Sequence, residues 1–210
     1  MVEVKNAEVF NLDRAQRAIE NSFNVGEINT TEGSIKEKLS ISLGNNMQTK
    51  QSHDAWLKGV LVTYDIKGNG VFMPEFQRYH HHEIIMSQST MHSMEKFMSG
   101  EHLPFTKYVD PRIIEIIKEK YSNWHKAKEN NLSKQEVYEA FEQLVHSLPR
   151  GFELWATVNS NYLQLKTIVI QRFHHKNIED WQNYVRFCYS LPKFRELCGF
   201  NSPQWDLENW

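Results

Sequence analysis

Cysteine is scarce: Cys188 and Cys198 are the only two in 210 residues, too few for a disulfide framework. Long apolar runs are missing too. No stretch approaches the roughly 20 residues needed to span a membrane. The opening MVEVKNAEVFNLDRAQ has neither the basic nor the apolar region of a secretion signal, so a cytoplasmic protein is expected. Neither sign of charge dominates: 24 Lys and Arg against 26 Asp and Glu leave a formal −2. Such a balance gives no global field toward nucleic acid or an anionic membrane, so any anion site must be local. No CxxC or HExxH pattern marks a metal site, and no GxGxxG or GxxxxGK[ST] marks a phosphate loop. Gly68-Asn69-Gly70 therefore reads as a turn. Repeats, linkers and low-complexity tracts are absent. What remains is ordinary globular composition, 40% hydrophobic and 24% charged, in a length that suits one domain over residues 1–210.

Histidine is the exception. Four of the ten fall in Phe76–His92, FQRYHHHEIIMSQSTMH, where His80, His81 and His82 follow Gln77 and Arg78 and precede Ser87, Gln88, Ser89, Thr90 and His92. Clustered donors of this kind suit an anionic, hydrogen-bonding ligand. The plainest alternative is a solvated run. A metal site is the other: on a strand His80 and His82 share a face while His81 points away, which gives two ligands where zinc needs three or four.

Around this stretch the chain alternates strand and helix signals. Residues 2–10 alternate loosely as a strand, and Asn11 or Asp13 then caps a helix to about Phe23 with Ala15, Ala18 and Ile19 on one stripe. NVGEINTTEGS is turn-rich. A second helix covers Ile35–Leu43 and stops at Gly44-Asn45-Asn46, and Ser52-His53-Asp54 opens one turn carrying Ala55, Trp56 and Leu57. GVLVTYDIK is the clearest strand, and HEIIM reads as a buried one after a helical segment 75–81. Ser89–Met98 reads as helix. Asp110-Pro111 opens a long helix with Ile113, Ile116, Ile117, Tyr121 and Trp124 on one side, and Ser133-x-x-Glu136 is a capping box for the next. Asn159–Arg172 and 177–190 are read as helices, the latter with Trp181, Tyr184, Val185 and Cys188 inward. His174-His175 reads as a solvated loop, and Cys188 and Cys198 as core thiols. Trp205 and Trp210 suggest a tail docked on a neighbouring surface or subunit. The expected fold class is α/β of the α+β kind, a mixed, mainly antiparallel sheet flanked by long helices.

Three segments in order resemble the flavin-dependent thymidylate synthase family: SHDAWLKGVLVTYDIK, the histidine-rich stretch, and LPRGFELWATVNSNYLQLKTIVIQR. The early NLDRAQRAIENSF also looks like that family's first helix. The central stretch occupies the place of the signature Arg-His-Arg-x-x-Ser-x-Asn-Glu-x-Ser-x-Arg. His80, His81 and His82 fall on Arg-His-Arg, Gln88 on the Glu, Thr90 on the second Ser and His92 on the last Arg. Only His81 is identical. Gln77 matches a glutamine near the nucleotide, His53 a histidine of the flavin and substrate pocket, Asn161 a flavin-contacting asparagine, and Arg172 the arginine used against uracil.

The resemblance implies FAD as cofactor, dUMP as substrate, methylenetetrahydrofolate and NADPH as co-substrates, and a homotetramer with shared sites. His80, His81, His82, Ser87 and Asn161 would then hold the flavin. Gln77, Gln88, Ser89, Thr90, His92 and Arg150 would hold the nucleotide, and Arg172 and His53 would serve the reaction. Histidines with an ordinary pKa of about 6.5 in place of two arginines make phosphate binding pH-dependent. A related C5 modification such as hydroxymethylation, a non-catalytic nucleotide-binding homologue and a metal-dependent hydrolase stay open as rivals.

Overall fold

The computed structural model describes residues 1–45 and 53–210. Ser52 and Asn46, read above as part of a helical turn and of a helix stop, lie outside them. In chain order the elements are β1 (Glu3–Phe10), α1 (Leu12–Ala18), α2 (Glu37–Gly44), β2 (Leu61–Asn69), α3 (Met73–Phe76), β3 (Glu83–Ser87), α4 (Thr90–Ser99), α5 (Pro111–Glu129), α6 (Lys134–Val145), β4 (Glu153–Asn161), α7 (Tyr162–Arg172), α8 (Ile178–Ser190) and α9 (Phe194–Cys198). Short 3-10 turns cover Ile19–Ser22 and Ala55–Gly59.

The four strands form one sheet in the order β1-β2-β4-β3, with every pairing antiparallel. One face is buried: Val62, Tyr64 and Ile66 of β2 and Ala156 and Val158 of β4 pack with Leu165, Ile168 and Val169 of α7 and with Trp181, Tyr184 and Val185 of α8. Each such side chain contributes about 1.5–3 kcal/mol by leaving water. On or beside the opposite face Phe10, Leu61 and Met86 stand exposed. A smaller cluster, Met94, Met98, Ile117 and Leu144, joins α4, α5 and α6.

TIVI is helical rather than extended because Leu165, Ile168 and Val169 recur at the spacing of one helix face. The Asn161 side chain supplies the cap, accepting from Gln164 N at 3.0 Å. The capping box at Ser133 and Glu136 and the Asp110 cap form as expected. Several expectations need correction. The segment starting at Asn159 is strand through Asn161, the end of β4, whose alternation in ELWATVNSN went unread. β2 runs on through Gly68 and Asn69, because both pair with β4, and the Asn69 carboxamide then caps Val71 N and Phe72 N. β3 is an exposed edge, not a buried strand: only Ile84 is half-buried. The helical segment 75–81 shrinks to α3 followed by turns. Ile113 and Ile116 are 38% and 49% exposed, so Ile117 is the inward isoleucine of α5. Trp205 and Trp210 dock on their own chain, against Phe173, with ring centroids 5.1 and 4.8 Å away.

Candidate functional site

The residues singled out from sequence collect at the two ends of the sheet. At one end β4 turns into α7, and the turn between α3 and β3 lies against that junction. His81 adopts a left-handed φ of 55° there. That kink sends its neighbours in opposite directions: His80 and His81 are exposed, with Gln77 and Arg78, while His82 turns inward and is only 6% exposed. His82 Nδ1 lies 3.3 Å from Ser160 Oγ and its Nε2 3.5 Å from the Tyr64 hydroxyl, itself 2.6 Å from the Tyr184 hydroxyl. Phe76 meets the ring edge-on with centroids 4.0 Å apart. Burial pushes the His82 pKa down to about 3. It is a neutral core histidine, and its expected place in a diphosphate clamp is corrected. The turn leaves His80, His81 and Arg78 as the outward donors. Arg78 is a permanent guanidinium that sequence reading counted only as a flank of the histidines.

Arg172 closes α7 against the same turn. Its Nε donates to the Tyr79 hydroxyl at 2.7 Å and an Nη to Glu75 Oε2 at 3.2 Å, and its guanidinium stacks 4.8 Å from the Trp181 ring centroid. Glu75 Oε2 also accepts from Trp181 Nε1 at 3.2 Å and faces His175 Nε2 at 3.3 Å. His175 is thus part of this cluster, not of a solvated loop, and only His174 is exposed. The guanidinium expected to face a uracil is already paired with a carboxylate. Burial raises the Tyr79 phenol pKa in spite of that guanidinium.

His53 is exposed beside a cavity of about 470 Å³ lined by Ala18, Phe23, Leu43 and Trp56, among others. The Trp56 indole N–H is buried without a partner among the described residues. Beside it Asp54 forms a buried ion pair with Lys166 of α7 at 2.7 Å, and Lys166 also donates to the Gly44 carbonyl at 2.7 Å. Lys166 and Arg172 are six residues apart, about 9 Å along the axis and about 240° around it. The turn that carries His53 is thus fastened to α7 through Asp54 and Lys166, on another part of the helix from Arg172.

The remaining residues lie at the other end. Gln88 N donates to Trp155 O at 2.9 Å, and Gln88 Oε1 accepts from Trp155 N at 2.9 Å. Ser89 precedes α4, and Thr90 and His92 occupy its first turn, where unpaired N–H groups favour an anion. Exposed Arg150 donates to Gly70 O at 2.9 Å. From Trp155 to Asn161 is six strand residues, about 20 Å. The expected flavin residues His80, His81 and Asn161 thus stand about 20 Å from most of the expected nucleotide residues. Ser87 and Gln77 each lie at the end opposite their expected partners.

Cys188 and Cys198 are buried and unpaired, and burial raises both thiols' pKa values, so neither is a poised nucleophile. Among the described residues no three His, Cys, Asp or Glu side chains converge as a metal site, and no helix is long and apolar enough to cross a membrane.

A four-stranded antiparallel sheet with helices on one face, its ends carrying these two groups, defines an α/β fold. That fold is similar to a crystal structure of thymidylate synthase X from Helicobacter pylori with FAD and dUMP, at TM-score 0.64 and 17% identity over 94% of this chain and 97% of that one. A second structure of the flavin-dependent thymidylate synthase from the same organism, complexed with FAD and dUMP, gives 0.63 and 17% over 94% and 96%. No protein-family model and no curated protein sequence matches the chain.

Proposed function

We propose that this chain binds a flavin dinucleotide and a pyrimidine nucleotide and modifies the pyrimidine reductively at C5, with dUMP as substrate. Its finer form is methylation from methylenetetrahydrofolate with NADPH as reductant. A hydroxymethyl product is the related alternative, in which water in place of a net hydride completes the transfer of the methylene carbon and no reductant is consumed. The observation that carries the reading is the likeness of fold over 94% of the chain to proteins described with FAD and dUMP.

The residues present fit a flavin in part. The orphaned Trp56 N–H beside His53 offers a donor to a planar heteroaromatic ring in a cavity of sufficient size. Arg78, His80 and His81 offer donors to a diphosphate. Bound there, FAD would supply the reducing chemistry. The chain's own residues would bind and orient: Asn161 at the α7 cap, and Gln88, Ser89, Thr90 and His92 at the start of α4 for the nucleotide phosphate. The separation of about 20 Å between the two groups favours a homotetramer whose sites draw on more than one subunit. A cytoplasmic location and a single domain over residues 1–210 belong to the same proposal.

A second reading, nucleotide binding without flavin chemistry, is favoured by two observations: Arg172 is held by Glu75 and Tyr79, and histidines stand at the two signature arginine positions. A visible spectrum and melting curves with FAD, dUMP and both separate the two. A flavin absorbance band and a melting temperature raised by FAD support the first. A rise with dUMP alone supports the second, and no shift with any of them refutes both.

A further inference from the structure

Three hydrogen-bond donors converge on one oxygen where α7 and α8 meet α3. An Nη of Arg172, Trp181 Nε1 and His175 Nε2 lie 3.2, 3.2 and 3.3 Å from Glu75 Oε2. His175 Nδ1 accepts from Asn177 N at 3.1 Å, so in the neutral ring the proton sits on Nε2 and points at the carboxylate. The other carboxylate oxygen, Oε1, accepts from no side chain among the described residues.

The donors and their acceptor are held very differently. Trp181 is fully buried, with the Phe72 and Tyr184 ring centroids 4.6 and 5.9 Å away. The Arg172 guanidinium lies 4.8 and 5.5 Å from the Trp181 and Tyr79 ring centroids and is anchored to the Tyr79 hydroxyl through Nε. His175 is pinned by the backbone at the start of α8. Glu75, in contrast, stands on a four-residue helix with its side chain 34% exposed. It is also outnumbered: within residues 75–81 and 172–176, Arg78, Arg172 and Lys176 carry positive charge against Glu75 alone. Of the five guanidinium N–H groups of Arg172, only two are engaged by Tyr79 and Glu75. A rigid set of donors with a surplus of positive charge is thus filled by a carboxylate that the chain holds loosely.

We infer that Arg172, His175 and Trp181 form an oxyanion cradle for a phosphate group, in which Glu75 is the resident stand-in that phosphate displaces. Both anions offer one acceptor oxygen to the three donors. Phosphate adds charge and further oxygens for the guanidinium N–H groups that Glu75 leaves unused, in the bidentate geometry that arginine favours. A ligand carboxylate adds nothing that Glu75 does not already supply within the chain. The barrier to exchange is small, because an ion pair this exposed is worth at most about a factor of five in an equilibrium constant. Arg172 and Glu75 together fasten the turn that presents Arg78, His80 and His81, so occupancy of the cradle alters what holds that turn. The inference rests on the donor set alone, not on the flavin reading, and would survive that reading's failure.

The test follows the indole N–H resonance of Trp181 by NMR in the full chain while inorganic phosphate is added, and, at equal ionic strength, while acetate is added. Phosphate should shift it saturably and acetate should not. Glu75→Gln removes the competing charge and should tighten phosphate binding about fivefold. Arg172→Gln removes the permanent cation and should abolish saturation. Repeating the titration with dUMP or FAD present identifies the source of the group: displacement of phosphate by one of them places that ligand's own phosphate in the cradle, and an unchanged titration leaves free phosphate as the ligand. Should Arg172→Gln not fold, the comparison of wild type with Glu75→Gln decides by itself. No saturable shift with phosphate, equal affinity in wild type and Glu75→Gln, an equal response to acetate, or saturation that survives in folded Arg172→Gln overturns the assignment.

Discussion

Replacing His82 with Leu tests whether this member of the histidine run belongs to the core or to a ligand. The ring is 6% exposed and its pKa falls from an ordinary 6.5 to about 3 through burial. The folded state therefore resists protonation that the unfolded chain accepts. A base whose folded pKa is depressed contributes stability that is full above 6.5 and lost progressively as pH falls toward about 3. One proton of linkage is worth about 1.4 kcal/mol per pH unit. Against neutral pH, His82 alone should cost the wild type about 1 kcal/mol at pH 5.5 and about 2 to 3 kcal/mol at pH 4.5. Leu fills the pocket beside Phe76 and leaves Ser160 its contact with the His81 carbonyl at 3.5 Å. Its cost at neutral pH should then be about 1 kcal/mol. Urea unfolding followed by tryptophan fluorescence between pH 4.5 and 7.5 gives the two stability curves. They should converge or cross as pH falls, because only the wild type carries this linkage. Parallel curves, or an NMR titration of His82 near 6.5, would refute the burial argument and return His82 to the candidate anion clamp.

Two further substitutions probe the cores of the candidate site. Lys166→Met leaves the Asp54 carboxylate and the Gly44 carbonyl without their shared donor and should cost about 3 kcal/mol, with part regained in the double variant with Asp54→Asn. A loss below about 1 kcal/mol in urea unfolding would show that water replaces the ammonium. Glu75→Gln removes the charge facing Arg172 and His175. Because Glu75 is about a third exposed, the stability loss should be only about 1 kcal/mol. Amides of residues 75–82 should nevertheless exchange faster by hydrogen–deuterium mass spectrometry, and unchanged exchange would mean that Arg172 does not fasten the turn.

The helix starts at Asp110 and Ser133, the inward stripe of the helix over 178–190 and the helical choice for TIVI were all legible in the sequence. A cap or a 3.6-residue stripe is written in neighbouring residues and needs no distant partner. The second strand was legible for the same reason, in its alternation. Its true end was not, because Gly68 and Asn69 look like a turn until β4 offers them partners. The histidine run shows the limit most directly. Its composition marked it out, but whether each imidazole meets water or the core depends on one left-handed residue, His81, and on Tyr64 and Ser160 arriving from elsewhere in the chain. Arg172 gained a carboxylate partner 97 residues away, and Trp155, Asp65 and Asn6 met across three strands. Local chemistry decides which segments coil or extend and which residues are able to bind. Burial and pairing between distant segments, which set charge state and reach, are decided only when the sheet assembles.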